Sequence, residues 1–76
     1  MTDDEKTMAE RLSALREYAC LTQDELASRS GVSRATISRL EAGEAASAGS
    51  IRHLAEALGV DPGWLRTGRT SPMGGT

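Results

Sequence analysis

Met8, Leu12, Leu15 and Ala19 are spaced by four, three and four residues, which puts them on one stripe of a helix ending near Ala19. Thr2 and Glu5 form a capping box ahead of that stripe, and Asp3 and Asp4 place negative charge in a first turn, where the helix dipole favours it. Cys20 and Leu21 bridge to the next element. With no activating neighbour, Cys20 reads as a small buried hydrophobe rather than a reactive thiol. Thr22 and Glu25 repeat the capping pattern, so a second helix starts there and turns Leu26 and Ala27 inward. It stops at Gly31, because glycine enters the left-handed conformation without a Cβ penalty.

Val32 plugs the turn, Ser33 caps a third helix running to Ala42, and Gly43 is its stop signal. At about 100° per residue, Thr36, Ile37 and Leu40 share one flank of that helix, while Arg34, Ala35, Ser38, Arg39 and Ala42 share the other. One flank is core; the other is free. Beyond Gly43 lies a loop of small residues that ends at an N-cap, Ser47 or Ser50. Ile51, Leu54, Ala55 and Leu58 form the stripe of a fourth helix closed by Gly59, with His53 on its polar side as a surface residue. Asp61 and Pro62 are the N-cap and first position of a short fifth helix carrying Trp64 and Leu65. The stretch from Arg69 to Thr76 has no periodicity, and a disordered tail is expected there.

From Leu12 to Gly68 the chain resembles the Cro/C1-type (XRE-family) helix-turn-helix domain of phage repressors and small bacterial regulators. The shared residues are Gln23, Glu25, Leu26, Ala27, Gly31, Val32, Ile37, Ser38, Leu40, Glu41 and Gly43, then Leu54, Ala55, Leu58, Gly59, Val60, Trp64 and Leu65. The resemblance implies an all-α, compact five-helix (lambda-repressor-like) domain over residues 1–68, whose third helix lies in the DNA major groove. It assigns base reading to Ser33, Arg34, Ala35, Ser38 and Arg39, and phosphate contacts to Arg16, Thr22 and Gln23, with Arg16 braced by Glu41. It also places dimer contacts at Val60, Pro62, Trp64 and Leu65, although Trp64 can equally lid the core of a single chain. One departure stands out: several relatives carry bases in the loop after the third helix, whereas this chain has Glu44 and no base before Arg52. Fewer phosphate contacts predict weaker binding and a shallower salt dependence.

Composition narrows this picture. Seventy-six residues suffice for one domain, and no separate ligand-sensing domain is expected. Phe is absent and Trp64 and Tyr18 are the only aromatics, so Leu, Ile, Val, Ala and Met must build the core. One cysteine cannot form an internal disulfide, and no metal-ligand spacing or cofactor motif is present. No signal peptide or stretch of about 18 apolar residues is present, and a cytoplasmic protein without membrane contact is expected. The net charge of −2 resides wholly in residues 1–20, with five acids against three bases, so the acidic end is expected to point away from DNA.

The leading expectation is a sequence-specific regulator of transcription that binds double-stranded DNA, a repressor acting as a homodimer on a palindromic operator. The alternative is an antitoxin or adaptor whose main partner is another protein, motivated by the acidic N-terminus, the loop without bases and the fifth helix. An enzyme is not expected, since no nucleophile–base pair, metal set or phosphate loop is present.

Overall fold

A computed structural model describes residues 7–69, which form five α-helices: α1 (Met8–Tyr18), α2 (Gln23–Ser30), α3 (Arg34–Glu41), α4 (Ala48–Leu58) and α5 (Pro62–Thr67). The capping pattern at Thr2 and the expected tail beyond Arg69 lie outside these residues. Each helix begins at a polar cap whose side-chain oxygen accepts an amide from the first turn: Thr7, Thr22, Ser33, Ser47 and Asp61. The first of these is a correction to the sequence reading. Thr7 is extended, so α1 starts after it, and the reciprocal box is Thr7 with Glu10. The same Ser/Thr-x-x-Glu pattern occurs twice within ten residues, and local sequence alone does not choose between the copies.

Cys20 is the second correction. It is exposed and adopts φ +59°, the one non-glycine positive φ among the described residues. The cause is the way α1 ends. The Leu21 amide donates to the Arg16 carbonyl at 3.0 Å and the Cys20 amide to the Glu17 carbonyl at 3.0 Å. These two bonds make a Schellman motif, which needs a left-handed residue between Ala19 and Leu21. Leu21 enters the core, and Cys20 turns outward in the position usually filled by glycine.

The core joins Leu12, Leu21, Leu26, Val32, Ile37, Leu40, Ile51, Leu54, Ala55, Trp64 and Leu65. At about 1.5–3 kcal/mol per fully buried large aliphatic side chain, it is the main force holding short helices that would be marginal alone. α1 packs on α3 and α5, α2 on α3 and α4, and α4 on α5, so every helix leans on at least two others. Ala19, expected on the inward stripe of α1, is exposed because it caps the helix; Ala9 is buried instead.

The bond that closes the two ends of the domain was not legible as such. Arg11, 3% exposed, sends Nε to the Leu65 carbonyl at 2.9 Å and Nη2 to the Arg66 carbonyl at 2.7 Å. A guanidinium at the C-terminal carbonyls of α5 complements the negative end of the helix dipole and satisfies acceptors that the helix itself leaves open. No described helix is long and apolar enough to cross a membrane.

Candidate nucleic-acid interface

The α2–α3 corner is set by Gly31, at φ +78°, whose amide donates to the Ala27 carbonyl at 2.9 Å. The Val32 amide donates to Ser30 Oγ at 3.1 Å, and the Val32 side chain is buried. Ser33 then starts α3, its hydroxyl accepting the Thr36 amide at 3.1 Å and donating to Thr36 Oγ1 at 2.8 Å. Ile37 and Leu40 anchor α3 in the core and Thr36 is half-buried. Ser33, Arg34, Ala35, Ser38 and Arg39 are all exposed along the other flank. The Ser33 hydroxyl is thus already engaged by its own helix, which leaves Arg34, Ala35, Ser38 and Arg39 as the freer surface.

The residues assigned to phosphate meet at one corner, organised by Glu41. Arg16 grips its carboxylate with two bonds, Nε to Oε2 at 2.7 Å and Nη2 to Oε1 at 3.0 Å, while its Nη1 donates to the Leu21 carbonyl at 2.8 Å. Gln23 Nε2 donates to the same Oε1 at 3.2 Å. The Arg16 and Glu41 side chains retain only 15% and 8% exposure, so this is a largely desolvated pair rather than a surface one. Burial pushes the Glu41 carboxyl up, but hydrogen bonds from Arg16, Gln23 and Ser13 and the charge of Arg16 outweigh it and hold the group below its ordinary value. Hydrogen bonding to Glu41 correspondingly raises Arg16. The network ties α1, the start of α2 and the end of α3 into one unit. Beside it, the exposed Thr22 caps α2, and its amide bond to Glu25 at 2.8 Å holds the Glu25 carboxyl below the usual range.

A family profile described as a helix-turn-helix domain matches residues 7–70. The chain belongs to that family. Its motif residues and helix order are those of the Cro/C1 (XRE) type. The domain is 41% identical over 66 residues to the HTH-type transcriptional regulator PrtR of Pseudomonas aeruginosa, covering 87% of this chain and 26% of that protein. It is 40% identical over 63 residues to the HTH-type transcriptional regulator for conjugative element SXT of Vibrio cholerae, covering 83% of this chain and 29% of that protein. The chain therefore corresponds to less than a third of the length of these relatives.

The remaining assigned residues lie elsewhere on the helix-turn-helix domain. Trp64 and Leu65, at 5% and 1% exposure, are built into its own core, while Val60 is half-buried and Pro62 exposed. Of the four residues expected at a dimer contact, only Pro62 is fully exposed, and Val60 lies ahead of α5. A surface groove lined by Met8, Ala46, Ile51 and Arg66 among others draws no residue from the α3 face. Among the described residues no cluster of His, Cys, Asp or Glu is arranged to hold a metal ion. Sequence reasoning passed over Asp24, which an ion pair places beside Arg34, Nε to Oδ1 at 3.5 Å. Its position at the start of α2 was visible, but its distance from a residue ten places on was not.

Proposed function

We propose that this helix-turn-helix domain binds double-stranded DNA in a sequence-specific way and regulates transcription, as a repressor that occupies a palindromic operator as a homodimer. The observation that carries the proposal is the α3 flank. Four exposed residues, two of them arginines, stand on a helix whose opposite side is locked in the core, beside a corner set by a left-handed glycine. Short Ala35 and Ser38 let the helix approach base edges, and the forks of Arg34 and Arg39 suit the paired acceptors of guanine. The N-terminus of α2, with the Arg16–Glu41–Gln23 unit beside it, fixes the domain on phosphate; Arg16 keeps an N–H on each Nη atom for that contact. That two relatives are named as transcriptional regulators supports the same reading.

One unit covers a half-site, and a second unit about one DNA turn away, roughly 34 Å, supplies the affinity a small interface lacks. Selection of bound duplexes from a random pool tests the whole proposal. Two-fold symmetric sites at that spacing are expected. Enrichment of isolated half-sites, each with one chain, would remove the homodimer, and absence of any enriched sequence would remove specific DNA binding altogether. Positioning and reading separate by mutation. Gln23→Ala weakens all duplexes by a similar factor, whereas Arg34→Ala costs about 1–3 kcal/mol on the preferred site and relaxes one base pair per half-site.

A further inference from the structure

We infer that Asp24 is a positioning residue for sequence preference, acting through the Arg34 guanidinium; the inference rests on the base-reading role proposed for Arg34. Asp24 is the second residue of α2 and Arg34 the first of α3, so the corner at Gly31 brings together two side chains ten positions apart. Arg34 Nε lies 3.5 Å from Asp24 Oδ1, with the two side chains 65% and 75% exposed. At that exposure the pair contributes little to folding. Its placement is the informative part, since the carboxylate stands at the N-terminal corner of the α3 face, where DNA would close over both groups.

Two consequences follow from the chemistry. With its Nε edge turned toward Asp24, the guanidinium keeps its two terminal Nη groups for an outside acceptor pair, which is the fork that recognises the O6 and N7 of guanine. Asp24 thereby disfavours rotamers in which Arg34 swings to a neighbouring phosphate. The second consequence is repulsive. A duplex on which Arg34 turns away to the backbone leaves the Asp24 carboxylate unpaired beside phosphates, in a space from which water is being expelled. Cognate and other duplexes are thus separated by a penalty as well as by an attraction. Gln23, the neighbouring α2 residue, does not serve this purpose, because its amide is directed at Glu41.

The test uses the full 76-residue chain. Affinities are measured for the preferred duplex, for the same duplex with the Arg34-dependent base pair exchanged, and for a scrambled duplex. The proteins are the unaltered chain, Asp24→Asn, Arg34→Ala and the double variant, with circular dichroism as the control for folding. Asp24→Asn is expected to tighten binding to scrambled DNA and to lower the preference at the one base pair by about fivefold, a modest coupling for residues in contact. Asp24→Glu is expected to restore part of that preference. In the Arg34→Ala background, Asp24→Asn is expected to leave the preference unchanged. A common factor on all three duplexes would reduce Asp24 to a field charge and overturn the inference, as would an undiminished effect on preference in the absence of Arg34. If Arg34→Ala itself leaves the preference intact, the base-reading role of Arg34 fails and the inference falls with it. If the unaltered chain binds no duplex, the proposed function fails first.

Discussion

Arg11→Met removes the charged link between the two ends of the domain while keeping side-chain length and apolar stem. The hydrogen bonds to the carbonyls of Leu65 and Arg66, at 2.9 and 2.7 Å, are lost, and those carbonyls lose their charged donor. Hydrogen bonds involving a charged group contribute about 1.5–3 kcal/mol each. Against this stands the cost of keeping a guanidinium 3% exposed, which methionine does not incur. The balance is a loss of about 2–3 kcal/mol. A domain of this size has only about 4–11 kcal/mol in total, and each kcal/mol moves Tm by about 4–8 °C, so a fall of roughly 10–20 °C is expected. Trp64 sits on α5 at 5% exposure and is the sole tryptophan, which makes its emission a local reporter. The assay is thermal unfolding followed by circular dichroism and by Trp64 fluorescence. In the variant the fluorescence transition is expected to shift to the red at or before the loss of helicity, as α5 leaves first. A Tm within about 2 °C of the unaltered protein would refute the reasoning, since it would mean that water satisfies the α5 carbonyls as well as Arg11 does.

Other perturbations address the corner and the brace. Gly31→Val is expected to cost about 1–3 kcal/mol by thermal melting, and because a Cβ there meets nothing within 4 Å, the cost is backbone strain at φ +78°; Gly31→Asn should lose much less. The Glu41 carboxyl titrates lower in the folded chain than its ordinary 4.5, so its contribution is complete above about pH 4.5 and disappears as the pH falls through the folded-state value. Glu41→Gln should therefore flatten the fall of Tm with acid below that pH, and an unchanged slope would count against the brace. Cys20, exposed at φ +59°, should react with a thiol reagent in the native protein without prior unfolding, and slow reaction limited by unfolding would place it in the core after all. Cys20→Gly should hold Tm level or raise it by a few degrees, because glycine fits the left-handed position at a cost of only about 0.5–1 kcal/mol in chain entropy.

What the sequence determined by itself was everything written in local signals. The cap at Thr22, the corner at Gly31, the cap at Ser33 and the Asp61–Pro62 start each depend on residues within three or four positions, and each appears where its chemistry requires. The two flanks of α3 were equally legible, since Ile37 and Leu40 set a period that leaves Arg34, Ala35, Ser38 and Arg39 outside. The Arg16–Glu41 pair entered through family resemblance, and distances then supplied its third member, Gln23. The start of α1 was ambiguous because two capping patterns compete, and Cys20 was misread because a Schellman ending needs a left-handed residue without demanding glycine. Tertiary structure alone decided the rest. Nothing local marks Arg11 for burial, and only α5 presents carbonyls to it, Leu65 lying 54 residues away. Trp64 had two open roles until packing of α5 on α1 and α4 turned it inward. Asp24 and Arg34 belong to different helices, and only the angle imposed at Gly31 makes them neighbours. Local hydrogen bonds and helical periods are properties of short segments, whereas burial and long-range pairing depend on how the segments are set against each other.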